Sequence, residues 1–439
     1  MKKGSVRFLM AILIVLVFVA SWYTMYSDYQ KAEAEYNSAL KLAREKRDAG
    51  LVEVAEECYK ATLALRDTVE LRDEIAQFYL EYADQNTYLG FCEELISLYP
   101  TEAVGYERLL KLYHKNGEYA SCFSIINSAN KRKIDSKTIS NIAAEIAYKY
   151  RVITTNVANV QFFSSGACAV QKADGMWGFV DSLGNMVLGF AYEELRPFTN
   201  SGLAAVKKKD SDFCLVDASG VRRAVDTQKR NIEDCTSVLT GMIAVKYNGK
   251  WHYCDADLKE LFGSYDYAGG FNCGVAAVVE NGEWRIINTS GKVVGNEKYE
   301  EIVVDDKGIA FRNNQAFAKK NGKYILINTE GKQIGNSSWE AVDAFSSNQP
   351  AAVKNGGKWG YLDASGKIVV DYQYEDAKSF CNGFAAVKVS SSWGYIVLED
   401  YSLKIDAEFS EAKDFSTSGT AFVQKDDKWC LLKIYRLAV

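Results

Sequence analysis

The sequence predicts a multidomain chain of α and β structure with three parts in series: a transmembrane helix, α-helical hairpin repeats and an all-β repeat array. Three observations support this order. An apolar run lies near the N-terminus, apolar residues recur at helical spacing in the following segment, and an aromatic residue recurs in the remainder at intervals of about 36 residues. We place the three parts at residues 1–27, 28–150 and 151–439.

The composition narrows the functional classes. Of 439 residues, 48% are hydrophobic and 25% are charged, which is typical of globular domains and excludes a disordered or fibrous chain. A net charge of -5 argues against nucleic-acid binding, which usually requires a basic surface. The ten cysteines are scattered without paired spacing, so we interpret most of them as buried free thiols.

The N-terminal segment predicts a membrane anchor. Residues 8–26 would span about 28 Å as a helix, close to the thickness of the hydrocarbon core. Lys2, Lys3 and Arg7 precede this run. Because basic residues stay on the cytoplasmic side, we expect a single-pass protein of the cell membrane with a cytoplasmic N-terminus and the bulk of the chain outside the cell.

The residues that follow the apolar run favour an anchor that is not cleaved. Trp22, Tyr23 and Tyr26 lie where an interfacial aromatic belt is expected. A cleaved signal peptide is the alternative, but residues 19–21 form a poor cleavage site.

Residues 28–150 predict helical hairpins, because their apolar residues are spaced by three and four. Several apolar positions recur with one common offset: Ile75 and Leu109, Ala76 and Leu110, Tyr79 and Tyr113. A period of about 34 residues with two helices per unit resembles the tetratricopeptide repeat. The resemblance implies stacked helix pairs, and an unrelated helical bundle or stalk is the alternative.

The remainder of the chain repeats around one aromatic position. The aromatic residues are Trp177, Phe213, Trp251, Trp284, Tyr324, Trp359, Trp393 and Trp429. A Gly-x-Ala-Ala-Val segment precedes several of them, as at 202–206 and 383–387, and a Tyr-Glu-Glu-like segment follows at 192–194 and 299–301. We expect the repeated tryptophans to pack between sheets, with a ligand-binding shelf as the alternative.

Three of these aromatic residues are followed by glycine, in Trp177-Gly178, Trp359-Gly360 and Trp393-Gly394. The pattern resembles the bacterial WG-repeat proteins, also called KWG-repeat proteins, over about two thirds of the chain. The resemblance implies an interaction module without a shared catalytic site.

Turn signals divide each repeat into strands. Asn-Gly at 248–249, 281–282 and 321–322 predicts tight hairpins, and Asp-x-Ser-Gly at 217–220 and 363–366 predicts type I turns. Each unit is therefore a three-strand meander with a longer return segment. The last unit stops after the Trp429 strand, whereas residues 151–154 form an extra strand before the first. This predicts a propeller-like ring closed by the two ends, with an open β-solenoid as the alternative.

The sequence offers no catalytic, cofactor-binding or metal-binding residues. Its two histidines, His114 and His252, lie far apart and we interpret both as structural. The Asp-x-Ser-Gly turns each supply one carboxylate, which is too few for calcium. The acidic residues of the Tyr-Glu-Glu segments are interpreted as parts of solvated loops, with a polar ligand-binding rim as the alternative.

These observations predict a membrane-anchored, exported, non-catalytic binding or scaffold protein at the cell surface. We expect the membrane at residues 8–26, a protein partner, no nucleic acid and no cofactor. Binding of cell-wall glycan or other carbohydrate by the β-repeats is the alternative.

Overall fold

In a computed structural model, the chain divides into two compact units, Met1–Ala147 and Tyr148–Val439, of which residues 3–437 are described. The first unit is helical and the second is built from β-strands. Lys2 and the side chains of Lys3 and Arg7, on which the predicted membrane orientation depends, lie outside the described part of the chain.

The first helix, α1 (Lys3–Asp48), runs for 46 residues without a break. Residues 5–49 contain neither glycine nor proline, so nothing interrupts the helical hydrogen bonding until Gly50, whose φ is +72°. The apolar side chains of residues 12–19 are exposed, as are Trp22, Tyr23 and Tyr26. The helix is long and apolar enough to cross a membrane, a property that anchors share with signal sequences.

Six shorter helices follow α1 and continue the helical unit. They are α2 (Val52–Leu65), α3 (Val69–Tyr82), α4 (Gln85–Leu98), α5 (Ala103–Lys115), α6 (Tyr119–Lys131) and α7 (Lys137–Glu145). Helix α5 begins as far after α3 as α6 does after α4, so two helical hairpins repeat with the predicted period. Relationship to the tetratricopeptide repeat itself stays a prediction.

The strands of the second unit form eight sheets, which we number as blades 1 to 8; its first strand, β1 (Tyr150–Thr154), belongs to blade 8. The strands of the first four blades are β2 (Asn159–Ser164), β3 (Ala167–Gln171), β4 (Trp177–Asp181) and β5 (Met186–Tyr192); β6 (Glu194–Leu195), β7 (Leu203–Lys207), β8 (Cys214–Asp217) and β9 (Arg222–Val225); β10 (Asp234–Cys235), β11 (Met242–Tyr247), β12 (Lys250–Asp255) and β13 (Glu260–Tyr265); β14 (Tyr267–Ala268), β15 (Val275–Glu280) and β16 (Glu283–Asn288).

The strands of blades 5 to 8 are β17 (Glu301–Ile302), β18 (Gln315–Lys320) and β19 (Lys323–Asn328); β20 (Ala341–Val342), β21 (Ala351–Asn355), β22 (Lys358–Leu362) and β23 (Ile368–Tyr374); β24 (Asp376–Ala377), β25 (Phe384–Val389), β26 (Ser392–Val397) and β27 (Leu403–Phe409); β28 (Glu411–Ala412), β29 (Thr420–Lys425) and β30 (Lys428–Ile434). A 3₁₀ turn, Tyr435–Leu437, follows β30.

The blades form a closed ring, an eight-bladed β-propeller. β1 pairs antiparallel with β30, with Tyr150 opposite Ile434, so the start of the unit supplies the outer strand of blade 8. Apolar clusters join neighbouring blades, and one of them packs Val160 and Val170 of blade 1 against Phe422 and Leu431 of blade 8. The predicted ring is therefore confirmed, and the solenoid alternative is wrong.

The predicted three-strand meander gains a strand. The return segment forms a two-residue strand at the inner edge of the next blade, as Glu194–Leu195 does when it pairs with Lys207 and Val206. Short paired segments of this kind are not visible in hydrophobic patterning, because two residues carry no periodicity.

The glycine of the Trp-Gly motif allows close approach of the outer strand. Where β22 meets β23 the register shifts, and a Cβ on Gly360 would lie 2.5 Å from the carbonyl oxygen of Val370. Gly394 is equally close to the carbonyl of Ile405. Any side chain at these positions collides with backbone, so the motif marks a bulged blade.

The tryptophans of these motifs are only half-buried, whereas the residue two positions later is fully enclosed. Trp359 and Trp393 retain partial exposure, while Tyr361 and Tyr395 are at most 1% exposed. Alternate residues of a strand face opposite sides of the sheet, so the more buried position follows Trp by two on the same face. The tryptophans do pack against the inter-blade clusters, as expected.

Candidate functional site

The candidate site is the mouth of the central channel. The residue after each inner strand donates its backbone N–H to a carbonyl of the next strand and opens the loop between them. In blades 2 to 8 these residues are Arg196, Thr236, Gly269, Val303, Asp343, Lys378 and Lys413. We call the loops that they open, which begin at equivalent positions around the ring, the channel mouth. The backbone at the start of each loop is therefore held in the same way in every one of these blades, while the residue type at that position varies among the blades.

Buried tyrosines hold the channel mouth in place from the neighbouring blade. The hydroxyls of Tyr253, Tyr361 and Tyr395 donate to the carbonyls of Gly269, Lys378 and Lys413, at 2.7, 3.0 and 2.7 Å. Burial raises the pKa of all three phenols well above the usual value, so they stay neutral donors. Each bond ties a mouth residue to the blade before it.

One loop crosses the channel mouth. The blade 5 loop, which we call the crossing loop, covers residues 303–314, whereas the equivalent blade 6 loop covers only 343–350. Its Lys307 ammonium lies 5.3 Å from the ring centroid of Phe162 in blade 1. Blades 1 and 5 are opposite each other in a ring of eight. The crossing loop therefore spans the mouth from side to side.

The crossing loop is folded on Asp305. One carboxylate oxygen of Asp305 accepts the N–H groups of Lys307 and Ile309, both at 2.9 Å, and the other pairs with the Arg312 guanidinium. The carbonyl of Gly308 accepts the N–H of Gly270 in blade 4 at 2.9 Å. These bonds fix the loop, so it divides the mouth into two pockets.

The smaller pocket, on the side of blades 6 to 8, has a volume of about 100 Å³ and contains opposed charges. Asp306, Asp343 and Asp414 line it together with Lys378 and Lys413. Burial, reinforced by the charge of Asp343, raises the pKa of Asp414 to about 7. Burial also raises the pKa of Asp343, although its carboxylate accepts the N–H of Ser379 at 2.7 Å. This pocket can hold a proton on a carboxyl group near neutral pH.

The larger pocket, on the side of blades 2 to 4, has a volume of about 410 Å³. Hydroxyl and amide side chains line it. Among the described lining residues, only Lys307 and Arg312 are charged, and Lys307 lines both pockets. Val238, Leu239 and Ile309 supply an apolar wall. The crossing loop therefore separates a pocket rich in carboxylates from one whose charges are all positive.

A second candidate surface lies in the helical unit. A groove of about 500 Å³ between α3 and α5 is lined by Asp73, Gln77, Arg108 and Lys111 among others. The Arg108 guanidinium donates to Asp73 at 2.7 Å and to Gln77 at 2.7 Å. The charge of Arg108 is thus already balanced by Asp73, so the groove does not strongly favour a ligand of either charge.

The motifs singled out in the sequence have structural roles. The Asp363 carboxylate accepts the N–H groups of Ser365 and Lys367, as expected for its turn. In two of the Tyr-Glu-Glu-like segments, at 299–301 and 374–376, the first acidic residue binds a hairpin turn. Glu300 accepts the N–H of Gly322, and Glu375 accepts that of Ser391.

Neither histidine is among the lining residues of the two pockets. His114 Nε2 is 3.2 Å from Glu145, in the helical unit. His252 stacks on Tyr247, with ring centroids 4.1 Å apart, and its Nδ1 is 3.4 Å from Glu260. Among residues 3–437, no group of three or more His, Cys, Asp or Glu side chains is arranged to hold a metal ion.

Sequence reasoning did not identify the crossing loop. The one signal was the spacing between Trp284 and Tyr324, the longest between neighbouring repeat aromatics. That extra length holds Asp305, Asp306 and Lys307. An insertion within a regular repeat is a sign of a loop with its own role.

Comparison with known proteins identifies the repeats. Four segments match the family model of the WG containing repeat, at residues 177–210, 264–284, 359–393 and 402–429. Each match begins in one blade and ends in the next, so the sequence repeat is offset from the structural blade. No curated protein matches the chain significantly in sequence.

Solved structures of similar fold include BamB from Moraxella catarrhalis, at 10% identity and a TM-score of 0.45 over 64% of this chain and 96% of that one. Kluyveromyces lactis Hsv2 is 10% identical with a TM-score of 0.35, over 63% of this chain and 97% of that one. Virginiamycin B lyase from Staphylococcus aureus is 11% identical with a TM-score of 0.32, over 65% of this chain and 99% of that one. These similarities concern the fold alone. A propeller with WG repeats suggests a protein-interaction scaffold.

Proposed function

We propose that this chain is a membrane-anchored, non-catalytic binding protein whose channel mouth receives a protein partner. The crossing loop carries the proposal. It fills the centre of the mouth with a fixed segment of backbone, so ligands meet a shaped surface with two polar pockets. Rigid loops on a rigid scaffold are the usual setting for binding residues.

The anchor and the exposed position of the propeller are parts of the same proposal. The apolar segment of α1 supports insertion into a membrane, and the basic residues at its start support a cytoplasmic N-terminus with the bulk of the chain outside the cell. In this arrangement the protein would present its propeller at the cell surface.

Carbohydrate binding, the alternative, has less support. It would be favoured by exposed aromatic rings clustered on one face of the propeller. Within the described part of the propeller unit, every aromatic side chain is buried or only partly exposed. In the experiment below, glycan binding is therefore the alternative outcome that we test against.

The test uses the full chain in its native membrane with a photo-crosslinking amino acid at Asn200 or Thr240, both exposed at the mouth. Met186, exposed on an outer strand, is the matched control position. A discrete protein adduct from the mouth positions and none from Met186 supports the proposal. Equal adducts from all positions, or retention on purified cell walls that soluble glycan competes away, contradict it.

A further inference from the structure

We propose that the larger pocket of the channel mouth binds a carboxylate side chain from an acidic segment of the partner protein. The inference rests on the proposed function and specifies its ligand chemistry. Three features of the pocket carry it: the sign of its charges, its unused hydrogen-bond donors and the nature of its apolar wall.

The first feature is charge. Lys307 lines both pockets and forms no ion pair with any described carboxylate, although its ammonium lies over Phe162 of the smaller pocket and its charge opposes the rise in the pKa of Asp414 there. Arg312 retains positive potential on the same wall, although it is paired with Asp305. No described lining residue of this pocket is acidic. An anion therefore gains attraction here without facing a like charge, whereas the carboxylates that line the smaller pocket repel it.

The second feature is a buried donor without a partner. Arg312 lines the pocket, and its Nε is buried without a hydrogen-bond partner in the described chain. Ser164 also lines the pocket, and its hydroxyl forms no hydrogen bond within the described chain. A buried N–H that lacks a partner costs free energy, and a ligand oxygen that accepts from it would remove that cost. The exposed amide of Asn200 is also free to donate. A carboxylate can accept from a cation and from neutral donors at the same time.

The third feature distinguishes a peptide from an acidic sugar. The apolar wall consists of Val238, Leu239 and Ile309, which suit the methylene groups of an aspartate or glutamate side chain. Phe271 is the one aromatic lining residue described, and it is only 2% exposed, so it offers no face for a sugar ring. The volume of about 410 Å³ falls in the usual range of ligand pockets.

The test measures binding of a fluorescent hexapeptide with three glutamates to the full chain in detergent micelles or nanodiscs. The same peptide with glutamines is the first control, and an oligogalacturonate is the second. We expect binding of the glutamate peptide alone, with an affinity that falls as salt rises. Equal binding of the glutamine peptide, or binding of oligogalacturonate instead, overturns the proposal.

Variants connect the binding to the pocket. We expect Lys307→Gln to weaken the peptide Kd about 10-fold, which corresponds to 1.4 kcal/mol, and Lys307→Arg to restore it. Ser164→Ala, which leaves the charges in place, should weaken the Kd about 3- to 10-fold. Lys358→Gln removes the same charge from an exposed hairpin of blade 6 and should change nothing. Unchanged affinity in both Lys307→Gln and Ser164→Ala, with folding intact by tryptophan fluorescence, overturns the assignment.

The outcomes separate this inference from the proposed function. If crosslinking at Asn200 captures a protein but the glutamate peptide does not bind, the mouth is a protein-binding site and the carboxylate assignment is wrong. If neither experiment gives binding, both proposals are wrong.

Discussion

The helical unit and the propeller are both built from repeats, but their repeats are joined differently. In the helical unit, an apolar cluster runs from α1 to α5, and the ion pairs of the buried Arg72 with Asp67 and Glu94 add to it. In the propeller, apolar clusters join each blade to the next, and β1 with β30 returns the chain to its start. An open array loses stability locally at its ends, whereas a closed ring has no end to lose. We therefore expect the propeller to unfold as a whole.

Two spectroscopic probes follow the two units separately. Seven of the eight tryptophans lie in the propeller, and the remaining one, Trp22, is in α1. Helical circular dichroism at 222 nm reports mainly on the first unit. The predictions below compare the two signals in the full chain.

The largest effect is expected from deleting residues 428–439, which removes β30. This strand pairs with both β29 and β1, so its loss opens the ring and leaves blade 8 incomplete. We expect the native tryptophan signal of the propeller to be lost, a cost of about 5–15 kcal/mol, while the helical signal remains. A small shift in the propeller midpoint would show that the blades are independent.

Tyr361→Ala should have the next largest effect, about 3–5 kcal/mol in urea unfolding followed by tryptophan fluorescence. Tyr361 is fully buried between blades 6 and 7. Trp359→Ala, at the half-buried position of the same strand, should cost about 1–2 kcal/mol. Tyr361→Phe removes only the bond to the Lys378 carbonyl and should cost about 1 kcal/mol. A larger loss from Trp359→Ala than from Tyr361→Ala would reverse the assigned roles.

Gly360→Ala should destabilise the propeller by about 1–3 kcal/mol, because the new Cβ would lie 2.5 Å from a backbone oxygen that cannot move aside easily. Gly189→Ala is the matched control, since the nearest atom to its Cβ would be the Met186 sulfur at 4.0 Å. The control should change stability by less than about 0.5 kcal/mol. Equal effects from the two substitutions would contradict the role of the Trp-Gly motif.

The smallest effect is a difference in pH dependence. Arg72 holds the pKa of Asp67 below its usual value, so this stabilisation is present above the unfolded pKa and is lost as the pH falls. Burial raises the pKa of Asp414 to about 7, so its contribution is present at acid pH and is lost as the pH rises towards 7.

We therefore expect the propeller midpoint in thermal unfolding to be lower at pH 8 than at pH 5, and Asp414→Asn to reduce this difference. The helical signal should weaken instead on acidification below pH 5. The same pH dependence in Asp414→Asn as in the wild-type chain would show that Asp414 does not titrate as the structure implies.

Features that depend on residues close in sequence could be predicted, whereas features that depend on contacts between distant residues could not. Turns such as 363–366 and the spacing of the tryptophans are local, so the propeller could be predicted, and even its closure followed from the extra strand at 151–154. The channel mouth could not be predicted, because it joins residues such as Phe162 and Lys307 that no period relates. The greater burial of Tyr361 than of Trp359 could not be predicted either, because it depends on packing against the next blade.

The pairing of β1 with β30 also determines when the ring can close during synthesis of the chain. Tyr150 meets its partner Ile434 about 280 residues later, which corresponds to tens of seconds at roughly 5–20 residues per second. During that time β1 has an open edge, and the ring cannot close until the last strand leaves the ribosome. An open strand edge can pair with another chain, so the long wait is a period in which the unfinished protein is prone to aggregate.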